Sequence, residues 1–191
     1  MVKYNFGDDD AYLLANNCLN IDNFDDLDKA EQYVFMIRSL EVENGTYVVD
    51  SFTMNTLLEL HRHLFRDIYH FAGEIRNVQL SKGTTRFCQF QFIYANGAKI
   101  FREIEAEKSW CTVKEAAKKL AYYKAELNML HPFREGNGRT IRLFIQYYAK
   151  SKGFEWQYTN MDQHEYLTAM VESVHDNTLL EQLFFKTVIK V

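Results

Sequence analysis

The sequence predicts an all-α protein that carries one small β-hairpin. Apolar residues recur at helical spacing through most of the chain, whereas strand-like alternation of apolar and polar residues is confined to residues 75–92. The 191 residues include only one proline and eight glycines, too few for a protein built from many tight turns. A chain of this length, with 47% apolar residues, is expected to fold as a single compact domain.

Capping residues and helix breakers set the predicted limits of the helices. Thr112 and Glu115 form a capping box, and Pro132 ends the helix that this box opens. The hairpin has its turn near Lys82–Thr85 and is the only sheet that the sequence predicts. Predicted helices cover residues 23–43, 50 or 51 to 73, 92–107, 112–131, 137–153 and 162–173, and a last helix begins at 177.

Composition and charge exclude several classes of protein. The net charge of −4 and the lack of a clustered basic face argue against nucleic-acid binding. No apolar run approaches the roughly 18 residues of a membrane-spanning helix, and the N-terminus lacks the pattern of a signal peptide. The three cysteines, Cys18, Cys88 and Cys111, are odd in number and lack metal-site spacing, which favours a reduced, cytoplasmic protein.

One stretch concentrates groups that bind phosphate and move a proton. It reads His131-Pro132-Phe133-Arg134-Glu135-Gly136-Asn137-Gly138-Arg139, with Arg142 one turn further on. His131 ends one helix, and an imidazole can abstract a proton near neutral pH. The next helix begins at Gly136–Gly138, where free backbone N–H groups and glycines without Cβ atoms form a cradle for an anion.

An acid and two arginines complete this candidate site. Glu135 offers a hard oxygen ligand for Mg²⁺ beside the cradle. Arg139 and Arg142 share a helical face and can reach distal phosphates. A lone histidine at a helix end is usually a cap, and a lone Gly-x-Gly is usually a turn. The combination of all these groups within twelve residues favours a phosphate site over both ordinary interpretations.

The stretch resembles the signature of the Fic family, His-Pro-Phe-x-Asp/Glu-Gly-Asn-Gly-Arg-x-x-Arg, and every specified position matches. Residues 63–69 and 71–76 resemble the family's segment before its β-hairpin. Residues 81–87 resemble the hairpin itself, which is called the flap. The resemblance covers nearly the whole chain. It implies a Fic-type helical core at 51–191 and an N-terminal helical segment at 1–50.

The resemblance implies a protein adenylyltransferase, which transfers AMP from ATP to a Ser, Thr or Tyr hydroxyl of a target protein and releases pyrophosphate. His131 is then the base that deprotonates the hydroxyl, and Glu135 holds Mg²⁺, or Mn²⁺ in its place, on the α- and β-phosphates. The backbone of Gly136, Asn137 and Gly138 cradles the phosphates. Arg139 and Arg142 grip their distal end. The chain is also expected to modify itself.

The flap residues Lys82, Gly83, Thr84 and Thr85 are implied to clamp ATP and to align the target by strand addition. The expected partner is therefore a protein docked on the flap, with no nucleic acid and no membrane. The resemblance leaves the oligomeric state open between a monomer and a homodimer.

Residues Ser39, Glu43 and Asn44 match a second pattern of the family, Ser/Thr-x-x-x-Glu-Gly/Asn, which marks an inhibitory helix. The resemblance implies that Glu43 pairs with Arg139, occupies the γ-phosphate site and misorients ATP. The match lies N-terminal to the core, as in the class with an N-terminal inhibitory helix. On the residues alone, the same stretch is an ordinary helix end with a C-capping Asn-Gly, so both interpretations stand at this point.

Three other functions compete with AMP transfer. Phosphate transfer, as in the related Doc toxins, is disfavoured because those proteins have lysine at the position of Gly138. Removal of AMP from a modified protein would use the same site, with Glu43 aiming a water. A non-catalytic module that binds partners through the flap is disfavoured by the intact His131 and Glu135. The other histidines are predicted to have surface or capping roles: His61, His63, His70, His164 and His175.

Overall fold

The computed structural model describes residues 9–191, which contain eight α-helices and two pairs of short antiparallel strands. The helices are α1 (Asp9–Ala15), α2 (Phe24–Glu43), α3 (Met54–Phe65), α4 (Ile93–Ala106), α5 (Val113–Leu130), α6 (Asn137–Ser151), α7 (Gln163–Glu172) and α8 (Thr178–Thr187). The strands are β1 (Ser81–Lys82), β2 (Thr85–Arg86), β3 (Phe154–Trp156) and β4 (Val188–Lys190). The predicted all-α class is confirmed. The first eight residues of the predicted N-terminal segment lie outside the described part.

The helix starts follow from side chains that satisfy the first backbone donors. Asn23 before α2, Thr112 before α5 and Asp162 before α7 each accept a hydrogen bond from the backbone N–H three residues on. These three caps confirm the predicted starts. The start of α3 was predicted too early, because Thr53 is its N-cap and the helix begins at Met54.

Helix α5 lies at the centre of the core and packs against α4, α6 and α8. Its alanines allow these neighbours to approach closely, and each fully buried leucine stabilises the fold by about 1.5–3 kcal/mol. The apolar residues buried along α5 include Ala116, Ala117, Leu120, Ala121, Leu127 and Leu130. This packing fixes the C-terminal end of α5 next to the start of α6, where the candidate site lies.

The β structure differs from the prediction in two ways. The hairpin over residues 75–92 is shorter than expected, because only Ser81–Lys82 and Thr85–Arg86 pair. A second sheet, which the sequence did not predict, pairs β3 with β4 and joins the end of the chain to the segment after α6. Three-residue strands are too short to show the alternation by which strands are recognised.

None of the described helices is long and apolar enough to cross a membrane.

Candidate active site

The loop between α5 and α6 is held in a fixed shape by its own side chains. His131 and Gly136 adopt left-handed backbone conformations, with φ of 44° and 77°. The buried Asn137 side chain accepts a hydrogen bond from the Phe133 N–H at 2.8 Å and donates one to the Phe133 carbonyl at 2.7 Å. The Asn137 amide is therefore a structural clamp, and only its backbone remains for a ligand.

Glycine occupies positions 136 and 138 of the loop for two different physical reasons. At Gly136, a Cβ atom would lie 2.5 Å from ring carbons of Phe65, so packing as well as the positive φ requires glycine. At Gly138, a Cβ atom would meet nothing within 4 Å. Gly138 faces open space at the N-terminus of α6, where the positive end of the helix dipole favours an anion. The sequence predicts an anion cradle at this helix start, and this assignment stays a prediction.

The imidazole of His131 is buried, with 5% of the residue exposed, and stacks on Phe87 at a centroid distance of 3.6 Å. Its Nδ1 lies 3.1 Å from the carbonyl oxygen of Asn128, which can only accept a hydrogen bond. Nδ1 therefore carries the proton in the neutral ring, and Nε2 is the basic nitrogen. Burial lowers the pKa of His131 to about 3, and nearby positive charges, among them Lys82, add to this effect. The ring is neutral at physiological pH.

Arg76 joins this loop to the segment that carries the flap. Its Nε donates to the His131 carbonyl at 2.7 Å, and its Nη2 donates to the Cys88 carbonyl at 2.6 Å. A third guanidinium donor binds the Val78 carbonyl. Because Arg76 is 5% exposed and bonds both ends of the hairpin segment, it fixes the flap beside the histidine.

The flap itself is a minimal hairpin. Lys82 pairs with Thr85, and Gly83 occupies the left-handed region with φ of 59°. The exposed side chains of Lys82 and Thr84 lie at its tip. The tip therefore carries one exposed positive charge, that of Lys82, close enough to affect the pKa of His131.

Arg139 lies in a buried cluster of charges. Its Nη2 pairs with Glu31 of α2 and lies 3.4 Å from Oε1 of Glu135. The Tyr69 hydroxyl also donates to Glu31, which is 1% exposed. Burial by itself would lower the pKa of Arg139, but the carboxylates of Glu31 and Glu135 raise it above its usual range. Two carboxylates thus neutralise this arginine before any ligand binds.

The predicted pairing of Glu43 with Arg139 is wrong. Glu43 follows Glu31 by twelve residues on the same helix, which is about 18 Å along the axis at roughly 1.5 Å per residue. Since Glu31 contacts Arg139, Glu43 lies too far away and is exposed at the end of α2. Ser39 donates to the Met36 carbonyl at 2.9 Å, and Asn44 caps the helix. The motif Ser39–Asn44 is an ordinary helix end.

Glu135 is the one motif residue with a ligand chemistry suited to Mg²⁺. Its Oε1 accepts a hydrogen bond from the Gly136 N–H at 2.8 Å, which orients the carboxylate at the start of α6. Among residues 9–191, no group of three or more His, Cys, Asp or Glu side chains could hold a metal ion. A single carboxylate fits Mg²⁺, which is commonly held by one or two carboxylates together with substrate phosphates.

His61 has a positioning role that the sequence prediction missed. It is fully buried on α3 and stacks on Phe133 at a centroid distance of 3.7 Å. Its Nδ1 accepts from the Gly73 N–H at 2.8 Å, so its Nε2 donates to the Glu135 carbonyl at 2.9 Å. Surface exposure was therefore the wrong expectation for His61. The signal for burial that the sequence offered was the position of His61 within the apolar stripe of α3.

The buried His63 also contradicts the predicted surface role. It stacks on Tyr47 at a centroid distance of 3.9 Å and contacts Glu41, which places it away from the loop.

Arg142 lies on the same helix as Arg139, but its guanidinium sits over the ring of Tyr158, 4.3 Å from the centroid. Lys124, which the sequence did not single out, is buried on α5 close enough to Arg142 for their like charges to interact.

Comparison with known proteins finds one family. Residues 51–149 match the model of the Fic/DOC family. The chain is 33% identical over 182 residues to a protein named "Probable protein adenylyltransferase y4lH" of Sinorhizobium fredii, which covers 91% of this chain and 92% of that protein. It is 31% identical over 185 residues to "Protein adenylyltransferase VbhT" of Bartonella schoenbuchensis. That match covers 93% of this chain but spans only 38% of VbhT.

A solved structure shares the fold. The BepC protein of Bartonella tribocorum, with bound AMPPNP, superposes with a TM-score of 0.81 at 17% identity, and the match covers 92% of each chain. At this identity the likeness shows the fold alone.

Proposed function

Because the chain belongs to the Fic/DOC family, we propose that it transfers AMP from ATP to the hydroxyl of a Ser, Thr or Tyr side chain on a target protein. Relatives named protein adenylyltransferases, about 30% identical over most of the chain, support this activity. The single observation that carries the proposal is the basic Nε2 of His131 beside the N-terminus of α6. This arrangement provides a base and an anion site at one junction of two helices.

In the proposed reaction, Nε2 of His131 accepts the hydroxyl proton as the target oxygen bonds to the α-phosphorus of ATP. The bond between the α-phosphorus and its bridging oxygen breaks, and pyrophosphate leaves. Phosphoryl transfer depends mainly on positioning and on neutralising charge. The N–H groups at Gly136–Gly138, together with Arg142, supply positive potential toward the phosphates. The charge of Arg139 is partly neutralised by its ion pair with Glu31, so Arg139 attracts the phosphates less strongly than a free arginine would.

Glu135 would hold Mg²⁺, and the metal would neutralise charge on the α- and β-phosphates when bound. The hydrogen bond from the Gly136 N–H and the backbone clamp of His61 would keep this carboxylate in place. The flap, from Lys82 to Thr85, would cover the nucleotide and pair with an extended segment of the target.

Several finer features belong to the same proposal. We propose a cytoplasmic location, which the reduced cysteines Cys18, Cys88 and Cys111 support. Self-modification and a homodimer are further expectations of the family. Removal of AMP through Glu43 loses its physical basis, because Glu43 lies at the far end of α2.

Incubation with ATP labelled at the α or the γ phosphate tests the proposed reaction. The protein is incubated with Mg²⁺ and a bacterial lysate, and labelled proteins are separated on a denaturing gel. Label from the α position on protein, with release of pyrophosphate, is the expected result. Label from the γ position would indicate kinase-like transfer and would refute the proposal. Nucleotide binding without any label would indicate a non-catalytic module.

A further inference from the structure

The two arginines of α6 in the proposed nucleotide site differ in their partners. Arg139 is neutralised by Glu31 and Glu135. Arg142 has no carboxylate partner and no hydrogen bond among the side chains of residues 11–191, and its guanidinium lies over the ring of Tyr158. On α6, the arginine without a carboxylate partner is therefore Arg142, one turn beyond Arg139.

Lys124 adds a second uncompensated charge at the same place. The residue is 1% exposed, and its ammonium group forms no hydrogen bond or ion pair with the side chains of residues 11–191. Its Nζ lies over the ring of Tyr166, 5.9 Å from the centroid. The rings of Tyr158 and Tyr166 are in edge contact at 5.6 Å, so the two cations rest on one pair of touching rings. Both rings also line a cavity of about 310 Å³.

A buried lysine without a partner needs a physical explanation. Lysine is almost never fully buried unless it is paired, because desolvation of an ammonium group costs several kcal/mol. Burial, reinforced by the charge of Arg142, lowers the pKa of Lys124 to about 7. The groups that face it are Arg142 on α6 and Tyr166 on α7, and its charge also reaches His131 at the end of α5. None of these groups is negatively charged at neutral pH, so a bound anion would neutralise the cluster.

We propose that Lys124 and Arg142 together bind the terminal phosphate of the nucleoside triphosphate. This inference rests on the proposed function and adds to it a binding residue that lies outside the twelve-residue motif. Arg139, held by Glu31, is then left with the inner phosphates. The same geometry predicts discrimination between nucleotides, since AMP has no phosphate that can reach the Lys124–Arg142 pair.

Proton uptake is a second consequence. Near pH 8 the ammonium group of Lys124 is mostly deprotonated in the free protein, because its pKa is about 7. A phosphate beside it favours the charged form, so binding of ATP should take up a proton. His131 does not contribute at this pH, since its pKa of about 3 would have to rise by far more.

The first test compares nucleotide affinities of Lys124→Met with those of a matched control, Lys118→Met. Lys118 is an exposed lysine of the same helix, so both variants replace a lysine of α5 with methionine, but only one of the two lysines is buried. Lys124→Met should weaken ATP binding roughly ten- to a hundredfold, the usual effect of losing a charged hydrogen bond, and should change AMP binding less than twofold. Lys118→Met should leave both unchanged. Equal losses for ATP and AMP, or no loss for either, would overturn the proposal.

The second test needs no variant and decides the matter if Lys124→Met does not fold. Titration calorimetry of the wild-type protein with ATP at pH 8, in two buffers with different ionisation enthalpies, measures the protons exchanged. Uptake approaching one proton per ATP is expected, and no uptake or a release would contradict the proposal. Wild-type protein that binds ATP and transfers the α label, but takes up no proton, would refute only the Lys124 assignment. Failure to bind ATP would refute the proposed function as well.

Discussion

The two glycines of the motif offer a sharp pair of substitutions, Gly136→Ala and Gly138→Ala. They lie two residues apart and receive the same methyl group, but the structure assigns them different tasks. At Gly136 the methyl would lie 2.5 Å from Phe65, a ring that is fully buried and cannot move aside. At Gly138 the methyl would lie in open space. One substitution should damage the fold, and the other should damage only the binding of nucleotide.

The magnitudes follow from the two environments. Gly136→Ala combines overpacking, about 1–3 kcal/mol, with a left-handed conformation, about 1–2 kcal/mol, so the free energy of unfolding should fall by roughly 2–5 kcal/mol. For a chain of this size that is roughly 4–20 °C in Tm. Gly138→Ala should leave stability unchanged or raise it by up to about 1 kcal/mol, because alanine is the better helix former.

Binding of ATP gives the complementary result. A methyl at position 138 would keep phosphate from the first N–H groups of α6, and losing one charge-assisted hydrogen bond weakens binding roughly ten- to a hundredfold. Thermal unfolding followed by circular dichroism gives the stabilities, and titration calorimetry gives the affinities. Gly138→Ala with wild-type affinity for ATP would refute the phosphate cradle. Gly136→Ala with wild-type Tm would refute the packing argument.

Three further predictions concern charge. Glu31→Gln removes one partner of a buried ion pair and should lower the free energy of unfolding by about 3–5 kcal/mol. The control Glu43→Gln, at the exposed end of α2, should leave Tm unchanged. Equal Tm values for the two variants in thermal denaturation would contradict the Glu31–Arg139 ion pair. Glu43→Ala should leave the rate of AMP transfer within about twofold of wild type in the α-label assay, because loss of a charge at an exposed site has small effects. A larger rise in the rate would support an inhibitory role for Glu43. The free energy of unfolding should fall as pH drops from about 6.5 towards 5, because His131 takes up a proton in the unfolded chain but not in the folded chain, where its pKa is about 3. Urea titrations at several pH values should show that His131→Ala reduces this slope by up to about 1.4 kcal/mol per pH unit. Identical slopes for the two proteins would contradict the buried neutral ring.

The sequence predicted the family and the order of groups along the motif because these depend on residues adjacent in the chain. His131, Glu135 and the glycines stand where a helix ends and another begins, and capping rules locate such junctions. The same rules located the starts of α2, α5 and α7. Local signals were sufficient for this part of the site.

The missed features depend on contacts between distant residues. Glu31 lies 108 positions from Arg139, and nothing near it in the sequence marks it as the partner. A short and permissive pattern pointed to Glu43, which is on the same helix but more than three turns away. Lys124 falls on a helix rich in lysines, and only the tertiary fold, which places it near Arg142 and Tyr166, makes it the buried one. The sequence alone therefore did not predict that Glu31 pairs with Arg139 or that Lys124 lies buried near Arg142.

The most direct test of the central claim is the substitution His131→Ala, assayed for both transfer and binding. The claim is that Nε2 of His131 accepts the proton of the target hydroxyl, while the helix N-terminus and the arginines bind the nucleotide. Removing a general base is expected to slow transfer of the α label by about 10²–10⁴-fold. The affinity for ATP, measured by calorimetry on the same preparation, should stay within about threefold of wild type, since the change removes no phosphate ligand. Transfer at the wild-type rate would contradict the account.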